Sequence, residues 1–539
     1  MSRKSRTARQ GQERPAHRTG GWAPDAICCA LLLALSLTLA LPRYRNGIDL
    51  GDEGFLAYGA VRVLQGQLPN RDFVSLQSPL SFYTSAAMFS LFGTSLVTLR
   101  ALGLAIYLVI PLAVYGIARQ RGRYVVSLAA SVPAAFVGPP FFNFVPFAVW
   151  HGVAAALVAA FLAIRAASTD RAVWAVLAGL ATALTLLSRQ DLGVYVIAAV
   201  LSYGVLLRAI GIPEAGRRAR RLLAFFATGA AIPLLLVGIG WLASGALPSV
   251  FHQLVVFPLT TYAKTSSLPM PVFQSGMTAT DAVVVSMFYA PPIVYMMAAV
   301  WLVSAFIRGR AGMEEAHAAF FVVLAALFYC QALTRSDLPH LLITLGPWFV
   351  VLSWAASAST KWVVMRLGRR ARPSAARLVS ISVRGVPLFL GALLLRIVTP
   401  AVLPPTDVPL TVLKLPAGGV RVAAPDAAWI QNAVGVLQHF APASRSVLVL
   451  PYVPMLYFLA ERRNPTRWNY IWPGDQTPDE HRQLIAQARR DPPAVVLLMG
   501  EDRMKEYAGP VVDYVRSSFR LAGNVDDLSV YVPGGGADR

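Results

Sequence analysis

The chain has 539 residues, with 48 Lys or Arg against 27 Asp or Glu, a net charge of +21 and a sequence pI near 10.4. Such a basic excess suggests a nucleic-acid partner, but 56% of the residues are hydrophobic, only 14% are charged, and the mean hydropathy is +0.55. A soluble domain carries about 25% charged residues, so the composition excludes a soluble nucleic-acid binder and indicates a membrane protein.

A span needs about 20 mostly apolar residues, and about eleven such stretches follow one another. They cover approximately 26–42, 98–118, 124–142, 147–165, 172–187, 192–209, 222–243, 282–306, 315–333, 338–357 and 378–400. Alternate connections differ in charge. One set holds the N-terminal arginines, Arg119 to Arg123, Arg165 with Arg171, Arg217 to Arg221, Arg308 with Arg310, and a linker from Lys361 to Arg384. The other set carries little beyond Arg189, Lys264 and Arg335. The positive-inside rule makes the first set cytoplasmic, so the basic excess reports topology. An odd span count then puts the C-terminal segment outside.

Three parts follow: a basic cytoplasmic segment, 1–24; a membrane domain, 25–400, whose first external loop is 43–97; and an extracytoplasmic domain, 401–539. The last part is Pro-rich at first, then reads as a small α/β domain. It has a helix at 426–440, a strand Ser446–Leu450, a short helix near 453–460, a strand Ala494–Met499 and a last strand near 528–532. The three cysteines, Cys28, Cys29 and Cys330, lie in apolar stretches and offer no disulfide framework. No Walker motif, zinc spacing or nucleophile elbow occurs, and Gly534 to Gly536 precede no helix, so they form no phosphate loop.

The first external loop carries the chemistry. Asp49, Asp52 and Glu53 cluster just past the first span. Phe55 to Leu64 and Pro79 to Phe92 are amphipathic but too short to span, so they read as helices lying in the interface plane. For Asp52 and Glu53 the plain alternative is a helix N-terminus favoured by its dipole, at about 0.3–1 kcal/mol. Asp49 is either a further ligand or an interfacial acid. Arg189-Gln190-Asp191 interrupts two apolar stretches, and an ionisable group at membrane depth usually pairs or functions. That turn is an internal bridge or a phosphate site, and Arg335-Ser336-Asp337-Leu338-Pro339-His340 is a similar polar turn. The loop His252 to Pro271 is an interfacial aromatic belt or, through Lys264, a phosphate contact. Glu461 to Tyr470 is either a surface loop or, with Trp468 and Tyr470 beside arginines, a contact for sugar or acceptor.

The first loop resembles the C-superfamily (GT-C) glycosyltransferases, which include the protein O-mannosyltransferases and the lipid A aminoarabinose transferases. The resemblance rests on Asp52-Glu53, then Tyr58, the Gly66 to Asp72 turn, Ser78 to Tyr83, Leu91 to Gly93, and Arg100 opening the next helix. It is continuous over about 43–120 and looser elsewhere. It implies an α-helical polytopic membrane protein of about eleven helices with interfacial helices in the first loop and a small external α/β domain.

The implied reaction is inverting transfer of a hexosyl or pentosyl unit from a polyprenyl-phosphate donor to an acceptor hydroxyl outside the membrane. In such enzymes an acid of the first loop is the general base, a role that falls on Asp52, with Glu53 sharing or orienting it. The acceptor would be a lipid, glycan or protein; the bilayer is a partner and nucleic acid is not.

Two departures from the pattern stand out. Ser78, preceded by Gln77, replaces a lysine of the aminoarabinose transferases, and 139–151 lacks a second acid, offering Asn143 and His151. Tyr58, Gln77, His151, Asp191, Asp337 and His340 therefore join Asp49, Arg189, Lys264 and Arg335 as candidate substrate contacts. A Mg²⁺ or Mn²⁺ ion, if used, would sit at Asp49, Asp52 and Glu53. The implied setting is a bacterial inner membrane. A flippase for a lipid-linked saccharide would place ionisable groups mid-membrane, and a non-catalytic scaffold would not need the acids.

Overall fold

A computed structural model describes residues 22–120, 122, 124–139, 143–367 and 408–534. Eight helices among them are long and apolar enough to cross a membrane: α1 (Trp22–Ala40), α4 (Leu96–Arg119), α6 (Ala148–Thr169), α8 (Gln190–Ala209), α9 (Pro213–Ala243) and three more, Ala279–Ile307, Met313–Thr334 and Leu338–Leu367. Two expected spans are shorter. The 172–187 stretch forms α7 (Ala172–Ser188), of 17 residues. The described part of the 124–142 stretch gives α5 (Tyr124–Ser131) and a 3-10 turn, Val132–Ala135, where Pro133 lacks the N–H that would continue the helix. The stretch 378–400, the arginine-rich linker from 368 on and the N-terminal arginines lie outside the described residues.

Small residues let the membrane helices approach one another. At Gly179 on α7 a Cβ would lie 2.1 Å from the Phe226 carbonyl of α9, and at Gly229 it would lie 2.1 Å from the Val176 carbonyl. That close backbone contact is how helices pack where water supplies no driving force between them.

The first external loop forms α2 (Asp52–Leu64) and α3 (Leu80–Phe92), where the pattern placed them. The apolar tip of α3 stays open, with Leu91 and Phe92 exposed, as suits a helix at an interface. α2 is also covered from outside: Phe55 to Ala60 are all buried and share one core with Val449, Met455, Tyr457, Leu497 and Val530 of the C-terminal domain. A Cβ at Gly54 would strike the Met455 backbone nitrogen at 2.2 Å, so glycine admits the helix Met455–Ala460 there.

The C-terminal domain pairs β1 (Leu410–Val412) with β2 (Arg421–Ala423) and builds a four-stranded sheet from β3 (Leu448–Leu450), β4 (Val496–Met499), β5 (Phe519–Val525) and β6 (Leu528–Pro533). The order is β3-β4-β6-β5. β3 runs parallel to β4, with Leu448 opposite Val496, and the other pairs are antiparallel. The expected helix appears as Ala424–Phe440. Two further helices, Pro478–Arg490 and Glu501–Ser518, were not anticipated. Thr477 and Glu480 form a capping box at the start of the first, a signal legible in the sequence.

Backbone bonds stitch this domain to the loop: Gly47 N to the Arg421 carbonyl at 2.8 Å, Met455 N to Leu50 at 3.1 Å, and Val74 N to Arg467 at 2.9 Å.

Candidate active site

The acids at the start of α2 take different roles. Asp49 Oδ1 accepts from the backbone N–H of Gly51 (2.9 Å) and of Asp52 (3.1 Å), so Asp49 fixes the turn that leads into the helix. Burial pushes its carboxyl up to about 6, with the neighbouring Asp52 charge adding to the rise. Glu53 turns inward. Its oxygens lie 2.6 and 2.8 Å from Arg100 Nε and Nη2, and both side chains are fully buried. Arg100 spends its other N–H groups on the carbonyls of Tyr44, Asn46 and Gly47. The segment leaving α1 is thus locked against α2 and α4.

Asp52, one residue earlier, is exposed and accepts a hydrogen bond from the Tyr452 hydroxyl. Burial and the Asp52 carboxylate both raise the Tyr452 pKa, so this hydroxyl stays a donor. Gly51 makes the approach feasible, since a Cβ there would lie 2.3 Å from the Tyr452 ring. Tyr452 meets Tyr470 edge-on at 5.0 Å and Trp472 at 5.3 Å. The C-terminal domain therefore sets Tyr452, backed by Tyr470 and Trp472, against Asp52.

The expected cations lie at helix ends and in the adjoining loops. Arg189 sits between α7 and α8, 3.0 Å from Asp191, and donates from Nη2 to Gln331 Oε1 at 3.1 Å. Gln331 in turn donates to Asp191. Arg335 pairs with Asp337 at 2.8 Å, and His340 Nδ1 lies 2.6 Å from the same carboxylate. Burial alone would raise the Asp337 pKa, but His340 and Arg335 bring it down to about 2.

The segment before Lys264 is π-helical over His252–Val256 and Pro258–Tyr262, a rare geometry often found at functional sites. It puts Tyr262 within electrostatic reach of Arg189, Arg335 and Tyr470, while Tyr470 itself senses Asp52. Lys264, just beyond, is exposed.

The remaining candidates have other surroundings. Tyr58 is buried, accepts from Asn464 N at 2.7 Å and stacks on Tyr457 at 4.9 Å, which makes it scaffold. Gln77 bonds Ser75 Oγ through its backbone, and Ser78 Oγ donates to Gln190 at 3.2 Å, tying the first loop to the Arg189 turn. His151 Nε2 lies 3.0 Å from Thr84 Oγ1 and Nδ1 lies 3.1 Å from the Phe147 carbonyl.

Among the described residues no three His, Cys, Asp or Glu side chains converge as a metal site. The Asp49, Asp52 and Glu53 set does not fit Mg²⁺ or Mn²⁺, since Glu53 is spent on Arg100 and Asp49 on the turn that leads into the helix.

Sequence reasoning missed Tyr452, Trp472, Tyr262 and Gln331. The first two belong to an aromatic-rich stretch from Tyr452 to Trp472, of which only the end near Tyr470 stood out.

No protein-family model matches the chain, and no curated protein matches it. Solved structures do. ArnT from Cupriavidus metallidurans bound to undecaprenyl phosphate aligns at TM-score 0.54 and 12% identity, covering 96% of this chain and 99% of that one. The oligosaccharyltransferase AglB from Archaeoglobus fulgidus, in complex with an inhibitory peptide and a dolichol-phosphate, aligns at TM-score 0.56 and 11% identity, covering 96% and 75%. At such identities the likeness concerns the fold alone, and this chain shares the fold of these two structures.

Proposed function

We propose that this protein is a multi-pass membrane glycosyltransferase that moves a sugar from a polyprenyl-phosphate donor to an acceptor hydroxyl. The reading rests above all on Asp52: an exposed carboxylate, hydrogen-bonded by Tyr452, whose ring meets Tyr470 and Trp472. The polyprenyl phosphates bound by the two neighbours of like fold support the donor class.

In the proposed step the acceptor oxygen attacks the anomeric carbon while its proton passes to Asp52, a contribution of about 10²–10⁴ in rate. The bond from the anomeric carbon to the phosphate oxygen breaks on the opposite face, so the configuration inverts. The polyprenyl phosphate leaves as an anion stabilised by Arg335 and Arg189, and no proton is needed on it. Glu53 acts through Arg100 as a positioning residue. The loop charges support a cytoplasmic N-terminus and an external C-terminal domain in a bacterial inner membrane. The proposed step is written without a metal ion, and the transferred unit is a hexose or pentose.

The test is transfer by purified protein in proteoliposomes supplied with a polyprenyl-phosphate sugar. The Asp52→Asn variant should insert and fold as the parent does and lose transfer. Parental turnover in that variant would remove Asp52 from the role, and saccharide counterflow without transfer would favour a flippase.

A further inference from the structure

A second charged site lies on the outer side, where the first loop meets the C-terminal domain. A cleft of about 450 Å³ is lined there by five arginines and only two carboxylates. Arg71 pairs with Asp72 at 2.7 Å and Arg463 with Asp491 at 3.1 Å. The other three cations lack such partners. Arg62 is only 4% exposed, and it donates to neutral oxygens alone: Gln67, Thr466, Asn469 and the Asp72 carbonyl. Arg467 donates to Ser249 Oγ at 3.1 Å, while its Nε is buried without a partner. Arg490 is exposed and has no ion pair among the described residues. Burial lowers the pKa of both Arg62 and Arg467, and the nearby Asp72, joined at Arg467 by Glu480, offsets it only in part.

An uncompensated buried guanidinium is costly to the fold unless an anion completes it, and forked N–H donors match phosphate and carboxylate oxygens. The cleft also has a defined place. Arg62 lies ten residues past Asp52 on α2, which at 1.5 Å per residue is about 15 Å along the axis. That is too far for the phosphate that leaves the reacting carbon, but within the span of a short saccharide. Arg71 Nη1 lies 3.3 Å from the Ser244 carbonyl, where α9 ends, so the cleft sits near the outer membrane surface.

We propose that this cleft binds a phosphate or carboxylate carried by the acceptor saccharide, which makes the acceptor an anionic, membrane-proximal glycan. The acceptor assignment rests on the glycosyltransferase reading, whereas the anion site itself does not.

The experiment uses the full chain in phosphatidylcholine nanodiscs titrated with inorganic pyrophosphate. Saturable binding that weakens with added salt is expected, with affinity falling about tenfold or more in Arg463→Ala/Arg490→Ala. Both side chains are exposed, so folding should survive, as a thermal melt would confirm. Asp52→Asn should bind pyrophosphate like the parent, which separates the cleft from catalysis. If that variant still transferred sugar while the cleft behaved as expected, the catalytic reading would fail and the anion site would stand.

A second arm uses nanodiscs containing phosphatidylglycerol. Unchanged pyrophosphate affinity there supports a saccharide-borne anion, whereas abolished binding means that lipid headgroups fill the cleft and overturns the acceptor assignment. Absence of saturable binding in phosphatidylcholine, or equal affinity in the double variant, overturns the site.

Discussion

Glu53 and Arg100 are wholly shielded from solvent, and every N–H of Arg100 is spent on an oxygen. Arg189 and Arg335, the cations proposed to hold the phosphate, remain 23% and 39% exposed in smaller pairs. The contrast separates two tasks. In the proposed reaction the base must hold one position against the reacting atoms, and the buried ion pair keeps the Asp52 turn fixed. The proposed leaving anion must arrive and depart, which suits cations that keep access to water and are oriented by Asp191, Gln331 and Asp337.

The contrast can be broken at five places. The largest effect is expected at the buried pair: Glu53→Ala or Arg100→Ala leaves a buried charge alone, and stability should fall by about 3–5 kcal/mol. Thermal melts of the detergent-solubilised variants would show it; an unchanged melting temperature would contradict the positioning role.

At Asp52 the outcome inverts. Asp52→Asn should cost about 10²–10⁴ in transfer rate with little change in melting, and a loss of both together would mean that Asp52 is structural. Tyr452→Phe removes only the hydroxyl that donates to Asp52, so kcat should drop about tenfold with the donor KM unchanged. Parental kcat would leave the C-terminal domain without a part in the chemistry.

Arg335→Ala and Arg189→Ala should raise the donor KM, about tenfold for each charge-assisted hydrogen bond removed from the phosphate. If steady-state kinetics show no change in donor dependence, the phosphate is held elsewhere.

The smallest effect is expected at Asp49. Burial holds its folded-state pKa at about 6, above its ordinary value of 3.8. Between those values the folded chain retains a proton that the unfolded chain has released, so stability falls as pH rises from about 4 to 6 and is level beyond. Asp49→Asn should remove that slope from the melting temperature measured across this range. An unaltered slope would assign it to another group.

The membrane helices were legible because hydrophobicity of a given length is a local property, and the bilayer imposes that length. α2 was legible for a similar reason, its apolar face ending at Gly66, whereas α3 is apolar nearly all round and was found by its length and its stop at Gly93. Asp52 and Glu53 could be found as neighbours, but their adjacency hid their difference: one helical step of about 100° sends one carboxylate to solvent and the next into the core. The 124–142 stretch was over-read because composition alone does not reveal where a proline stops the helix.

The sequence by itself determined a polytopic helical protein, a C-terminal α/β domain and an acid-bearing first loop, because each of these follows from residues close together in the chain. Only the tertiary structure decided that Glu53 belongs to Arg100, that Tyr452, 400 residues from Asp52, completes its surroundings, and that arginines from two distant segments share one cleft. Charge pairing and hydrogen bonding act over a few ångströms in space, and chain separation carries no record of which distant side chains folding brings that close.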